Sequence, residues 1–333
     1  MSFPRTRESI VNDVNGSPLV STNEGVKRED DIICCLREQV TGKWLHMIWI
    51  IGCNGMLGKE LSALIEKKKI EYVGTDRECD ITDIAELRRF AAGKNIEWIV
   101  NCSAYTAVDK AEDEETVAFR INASGAGNIA SVASEIGAKM LHISTDYVFG
   151  GKGVIPYKES DPTGPVSAYG RTKLEGERLV AQNCARHIII RTAWLYGAHG
   201  NNFVHTMLRL LSEKEQLTVV CDQRGTPTWA FDLAAAIVHI IKTGATACGV
   251  YHFANAGEIS WYDFACAIRD QALEKGLLSK NTPIVPVTSD KYPTKAVRPA
   301  YSVLDKTKIR TELGVAVPDW KDSLEKFLES KRG

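Results

Sequence analysis

Tyr169 and Lys173 stand four residues apart in the run Ser167-Ala-Tyr-Gly-Arg-Thr-Lys173. On a helix that spacing puts both side chains on one face. A phenol with a pKa of about 10 is a poor proton carrier at neutral pH. A nearby ammonium stabilises the phenolate and so lowers that pKa, which suits acid–base work. The same lysine is able to hydrogen-bond a ribose of a bound nucleotide. Taken alone the spacing recurs in ordinary helices, so its weight must come from neighbours. One is Thr145, in Leu141-His-Ile-Ser-Thr-Asp-Tyr147, where an apolar run ends. Ligands of open α/β sheets bind at the carboxyl ends of the strands, so a hydroxyl there is placed to hold a substrate carbonyl oxygen. The structural alternative for Thr145 is a β-branched strand residue.

A second neighbour lies upstream. Gly52-Cys-Asn-Gly55-Met-Leu-Gly58 follows the apolar run Met47–Ile51. Glycines permit positive φ and close backbone approach, and a helix starting there offers free N–H groups to a pyrophosphate. The spacing is G-x-x-G-x-x-G rather than the usual dinucleotide G-x-G-x-x-G. Gly52, Asn54, Gly55, Met56, Leu57 and Gly58 are therefore candidates for cofactor contact, with Cys53 a small residue that fits the turn. An acidic residue is expected about 20 positions on, at the end of the second strand. Asp76 is there, which favours NAD. Arg77 follows and is able to pair with a 2′-phosphate, which favours NADP. Asp80 and Ile81 come where an adenine ring would rest, though Asp80 also reads as a helix N-cap.

The elements that must position these groups alternate. Strands are expected over 47–51, 71–75, 96–101, 139–144 and 187–191. Helices are expected over 57–68, 81–92, 113–136 (one or two) and 168–182. That alternation predicts an α/β fold, a Rossmann-type doubly wound parallel sheet covered on both faces. After about residue 195 the rhythm loosens. Helices read over 203–211, 230–242, 261–275 and 320–328, and strands over 217–220 and 249–254. The reading is therefore a dinucleotide-binding domain over 47–195. A smaller C-terminal substrate-binding region follows over 196–333, with some segments returning to the first domain. Residues 1–46 are polar and aperiodic, and are expected to be a disordered extension upstream of a native start at Met47.

Composition excludes several classes. The 333 residues carry 41 basic and 42 acidic side chains, net −1, with no electrostatic footprint for nucleic acid or an anionic membrane. Lys67-Lys68-Lys69 ends a predicted helix, where cations suit the macrodipole. No run is apolar enough to span a bilayer, and no signal peptide is evident. The nine cysteines show no metal-ligand spacing, which fits free thiols and a cytoplasmic location.

Longer signatures narrow the reading. They are Asn101-Cys-Ser-Ala-Tyr-Thr-Ala-Val-Asp-Lys-Ala-Glu112, Ile143-Ser-Thr-Asp-Tyr-Val-Phe149, Arg191-Thr-Ala-Trp-Leu-Tyr-Gly197, Gly200-Asn-Asn-Phe203, Asp222-Gln-Arg-Gly-Thr-Pro-Thr228 and Arg298-Pro-Ala-Tyr-Ser-Val-Leu-Asp305. On these, from Met47 to about residue 330, the chain resembles the dTDP-4-dehydrorhamnose reductase family of the extended short-chain dehydrogenase/reductase superfamily. The resemblance implies that NADPH or NADH reduces C4 of dTDP-4-dehydro-6-deoxy-L-mannose. It implies Tyr169 as proton donor, Lys173 as its tuning partner and Thr145 as the carbonyl's hydrogen-bond partner. It also places Ser103, Ala104, Tyr105 and Thr106 in the cofactor cleft. Val108, Asp146, Tyr147, Trp194 and Arg298 fall at the dTDP-sugar, although Trp194 also reads as a core aromatic and Arg298 as a surface ion pair. Two alternatives stay open: a related sugar-nucleotide epimerase or dehydratase, and a non-catalytic regulatory subunit. Against a dehydratase, Thr145 is followed by Asp146-Tyr147 and not by Asp-Glu.

One departure is clear. Some members of the family hold Mg²⁺ at a dimer interface through three glutamates. Glu60 matches the first, but the other positions are Phe231 and Lys321, which cannot complete an oxygen cage. No metal is therefore expected, and the chain should be a monomer or a weak homodimer not bridged by Mg²⁺.

Overall fold

The computed structural model describes residues 47–331, together with three strands near the N-terminus. The three strands and residues 47–331 belong to separate units. In the first, Ile10–Asn12, Pro18–Thr22 and Gly25–Arg28 make an antiparallel meander. The sequence reading expects a disordered extension over 1–46; apart from these three strands that stretch lies outside the described residues. Ile10, Val11, Val20, Thr22 and Val26 are β-favouring types, in runs too short to show a period.

The second unit is built on six parallel strands. In chain order they and their helices are β1 Met47–Ile51, α1 Met56–Lys67, β2 Tyr72–Thr75, α2 Ile84–Ala91, β3 Ile96–Asn101, α3 Ala126–Glu135, β4 Lys139–Thr145, α4 Ala168–Asn183, β5 His187–Thr192, α5 Phe203–Glu213, α6 Ala230–Lys242, β6 Gly249–His252, α7 Trp261–Glu274, α8 Thr307–Leu313 and α9 Trp320–Glu329. The sheet order is β2-β1-β3-β4-β5-β6. The second half of the chain therefore returns to the sheet at β6.

Alternation along β1 shows why both faces are covered. Ile48 and Ile50 join Leu61 and Ile65 of α1 and Ile237 and Ile240 of α6 in one core layer. Trp49 and Ile51 join Leu87 of α2, Ile129 and Ala133 of α3 and Val180 of α4 in the other. A period of two on a strand sends successive side chains to opposite faces, so a continuous apolar run is buried on both. A third core, with Val204, Phe264, Leu324 and Phe327, holds α5, α7 and α9 together.

Two boundaries differ from the sequence reading. The helix expected from Ile81 begins at Ile84, because Asp83 and not Asp80 accepts the Ala85 N–H at the N-cap. The stretch expected to be helical over 113–136 is α-helical at Glu115–Phe119, turns as a π-helix over Arg120–Gly125 and resumes as α3. π turns inside helices often mark positions constrained by function, and this one carries the buried Asn122. Among the described residues no helix is long and apolar enough to cross a membrane.

Candidate active site

The sheet order reverses between β1 and β3, the place where open α/β sheets leave a crevice beyond their strand ends. The glycine loop sits there. Gly52 has φ +81°, and a Cβ on it would stand 2.7 Å from the Ser103 nitrogen at the end of β3. A Cβ on Gly58 would stand 2.2 Å from the Gly52 carbonyl oxygen. The loop is folded onto itself too closely for any other residue at these positions. Gly55 precedes α1 with no side-chain cap, and the first turn holds no acid. Its first N–H groups are thus left to whatever lies in the crevice.

Asp76, at the end of β2, accepts the Asn54 N–H at 3.0 Å and the Arg77 N–H at 2.9 Å. The carboxylate braces the glycine loop and leaves Arg77 exposed. Asp80 accepts the Thr82 N–H at 2.8 Å. Ile81 is buried under Gly125, so its side chain belongs to the core. The Leu57 side chain is buried as well, and Met56 packs against Gly197. Ser103, Ala104, Tyr105 and Thr106 follow β3. Tyr105 donates its N–H to Asn122 at 2.8 Å and its hydroxyl to Glu114 at 2.7 Å.

Helix α4 begins at Ala168 because Ser167 accepts the Gly170 N–H at 3.1 Å. Glycines let it dock closely. A Cβ at Gly170 would meet the Tyr147 carbonyl at 2.3 Å, and one at Gly176 the Asn122 carbonyl at 2.1 Å. This close approach carries Tyr169 to the end of β4, where its ring meets Tyr147 edge-on with centroids 5.5 Å apart. Lys173 is 2 % exposed. Its ammonium donates to the Ile143 carbonyl at 2.6 Å and lies 3.5 Å from His142 Nε2.

The electrostatics depart from the simple expectation. Burial pushes the Tyr169 phenol well above its ordinary range, Asp146 and Tyr147 add to this, and hydrogen bonding with Thr145 opposes it. Lys173 does not counter the shift in this state. Burial pulls its own pKa down to about 8, against the attraction of Glu177, and one of its protons is donated to the Ile143 carbonyl of β4. Asp146 is pushed up to about 6 by burial, although Thr145 donates to its Oδ1 at 2.9 Å. Thr145 also accepts the Tyr147 N–H at 3.2 Å.

The remaining candidates surround this centre. Arg298 donates to Tyr147 Oη at 3.1 Å and to Asp109 at 2.7 Å. Asp109 sits next to Val108 on the short helical turn Val108–Ala111. Trp194, two residues beyond β5, has φ +48°, a conformation rare for a bulky side chain. Its ring stacks on Trp261 at 3.5 Å and covers Gly225, where a Cβ would be 2.5 Å away. At the positions compared with the Mg²⁺ site, Glu60 accepts the Ala198 N–H at 3.3 Å, Phe231 packs against Trp229, and the Lys321 ammonium lies over Trp320. Among the described residues no cluster of three or more His, Cys, Asp or Glu is arranged to hold a metal ion.

Several polar groups escape the sequence reading. Asn122 bridges the Tyr105 backbone to Thr172 of α4 at 3.1 Å. Asn101 and His142 are buried at strand positions between apolar neighbours. The signal for both was a polar residue inside an otherwise apolar strand, which is costly unless it is hydrogen-bonded.

A parallel sheet with a glycine loop at its switch point, and a threonine, tyrosine and lysine at the next strand end, defines the extended short-chain dehydrogenase/reductase class. Within it, this chain belongs to the dTDP-4-dehydrorhamnose reductase family: the family model described as RmlD substrate binding domain matches residues 46–332. The spore coat polysaccharide biosynthesis protein SpsK of Bacillus subtilis is 40% identical over 285 residues, covering 85% of this chain and 97% of that one. The dTDP-4-dehydrorhamnose reductase of Aggregatibacter actinomycetemcomitans is 41% identical over 282 residues, covering 83% and 96%. The crystal structure of the Bacillus anthracis dTDP-4-dehydrorhamnose reductase in complex with NADP superposes with a TM-score of 0.80 at 37% identity, covering 86% and 99%.

Proposed function

We propose that this chain reduces the C4 keto group of dTDP-4-dehydro-6-deoxy-L-mannose, giving dTDP-L-rhamnose, with NADPH or NADH as reductant. The observation that carries the reading is the convergence of Thr145, Tyr169 and Lys173 beside the glycine loop, in a chain about 40% identical to named reductases over most of its length. The loop fits a dinucleotide on its own geometry, through the close-packed glycines and the uncapped start of α1. When bound, the nicotinamide supplies the hydride that goes to C4.

The residues do the rest. The N–H groups of Met56, Leu57 and Gly58 at the start of α1 face the pyrophosphate, while Gly52, Asn54 and Gly55, whose own N–H groups are held by Thr75, Asp76 and Gly52, shape the loop around it. Asp76 and Arg77 lie where the adenosine ribose would be read, with Asp80 and Ile81 beyond them, and Ser103 to Thr106 form the facing wall. Thr145 turns its proton from Asp146 to the substrate carbonyl, and Tyr169 protonates the oxygen as charge develops on it. Lys173 holds the tyrosine's environment and a cofactor hydroxyl. Asp146 and Tyr147 face the sugar, and Val108, Trp194 and Arg298 take the remainder of the nucleotide-sugar. Arg298 then exchanges part of its pairing with Asp109 for a phosphate, an equally charge-assisted partner.

The deciding experiment is a coupled assay with enzymatically generated dTDP-4-dehydro-6-deoxy-L-mannose. NADPH or NADH should be consumed only when the keto sugar is present. A chain that binds the cofactor but never oxidises it in that assay would sink the proposal. We also propose a monomer or a weak homodimer without bridging Mg²⁺, because Phe231 and Lys321 offer no carboxylates beside Glu60. Its sedimentation should not respond to millimolar Mg²⁺, and Mg²⁺-driven dimerisation would overturn this.

A further inference from the structure

Behind Lys173 runs a buried polar chain that the catalytic reading does not use. Asn101, His142 and Lys173 are each 2 % exposed or less. Asn101 Oδ1 accepts two hydrogen bonds from Ser103, one from its backbone N–H at 3.0 Å and one from its hydroxyl at 2.6 Å. A backbone N–H is only ever a donor, so the amide oxygen must face it. The amide nitrogen therefore faces His142 Nδ1, 3.1 Å away, and that ring nitrogen must accept. Burial keeps the imidazole neutral. A neutral imidazole has one proton, which is then on Nε2. This is the nitrogen 3.5 Å from Lys173 Nζ.

An N–H pointed at Nζ meets a lone pair if the lysine is a neutral amine, and three protons if it is an ammonium. We propose that Asn101, by fixing the His142 tautomer, disfavours the ammonium form of Lys173 and so helps set the protonation state of the lysine one turn from Tyr169. Asn101 and His142 are positioning residues: they act through Lys173. The inference deepens the reductase reading and rests on it for its meaning in catalysis.

The other groups facing Lys173 are consistent with this. On α4, Glu177 lies one turn on, but its charge is taken by Arg191 at 2.7 Å and Ser144 at 2.5 Å. Tyr169 lies one turn before. Just past β3, Cys102 is pushed up to about 12 by burial and stays a neutral thiol. On β4, the Ile143 carbonyl accepts one proton of Nζ, which amine and ammonium both supply.

The test is ¹⁵N NMR of the ligand-free chain. The His142 ring should show the proton on Nε2, and finding it on Nδ1 overturns the inference without any variant. Asn101→Asp keeps an acceptor for Ser103 and presents an oxygen to Nδ1, so the proton should move there and Nε2 should accept from the lysine. The Lys173 titration, assigned against Lys173→Met, should then rise by one unit or more, about tenfold in the ammonium-to-amine ratio. The acid–base limb of kcat/KM that reports Lys173 should move with it. An unchanged lysine titration in a folded Asn101→Asp protein refutes the coupling, and so does a rise with the ring proton still on Nε2, which the charge of the new carboxylate alone would produce. If the titration moves while Tyr169→Phe keeps full turnover, the reductase assignment of Tyr169 fails and the tautomer coupling stands.

Discussion

The Lys173 ammonium donates to the backbone carbonyl of Ile143 at 2.6 Å, two residues before Thr145. One bond thus joins the helix that carries the tyrosine to the strand that carries the threonine. The lysine end of the bond is buried, so water competes little for it.

Tyr169→Phe removes the proposed proton donor and keeps the ring packed on Tyr147. A positioned acid contributes about 10²–10⁴-fold, so kcat should fall by roughly 100-fold or more. Binding of NADPH or NADH, followed by fluorescence, should stay within about twofold. Retained turnover would reassign the donor.

Gly58→Ala tests the cradle. Its methyl would stand 2.2 Å from the Gly52 carbonyl, so the loop must move. Local strain of about 1–3 kcal/mol corresponds to a cofactor Kd weakened by roughly ten- to a hundredfold. Isothermal titration on the folded variant measures it, and an unchanged Kd would remove the loop from the binding site.

Glu177 and Arg191 form an ion pair at 2.7 Å with side chains 6% and 5% exposed. Removing one partner strands a buried charge, and such losses run to about 3–5 kcal/mol. Glu177→Ala should therefore lower the urea midpoint far more than Glu175→Ala, whose pair with Arg178 is exposed and belongs to a class worth about 1 kcal/mol or less. Equal effects of the two would contradict the burial argument.

Asp146 gives a pH-dependent prediction. Its carboxyl is pushed from 3.8 to about 6 in the folded chain. Between those values the folded state holds more protons than the unfolded one, so stability falls as pH rises through that window. Asp146→Asn has no such titration. Its gain over the parent should be near zero below about pH 4 and full above about pH 6, on the order of 3 kcal/mol for a two-unit shift. Thermal melts at pH 4 and pH 7.5 compare the two, and a gain at pH 4 as large as at pH 7.5 would refute the cause given.

Much of this was legible in the chain. The apolar runs at 47–51, 96–101 and 139–144 marked strands buried on both faces, because hydrophobic period and length are local properties. The glycine loop and the i, i+4 pair likewise needed only chain order to be found. The N-terminal strands and the π turn at Arg120–Gly125 were not legible. The first have runs too short for a period, and the second depends on Asn122 finding Tyr105 and Thr172 across the fold.

The sequence by itself determined which residues were available for chemistry: a phenol at a helix start, an amine one turn further on and a hydroxyl at a strand end. Only the tertiary structure decided their state. Spacing predicted a tyrosine softened by its lysine, but burial raises the Tyr169 phenol, lowers Lys173 to about 8 and turns that lysine toward β4. Burial and hydrogen-bond partners come from segments distant in sequence, Asn101 and His142 among them. A proton's place is therefore set by contacts that no local pattern contains.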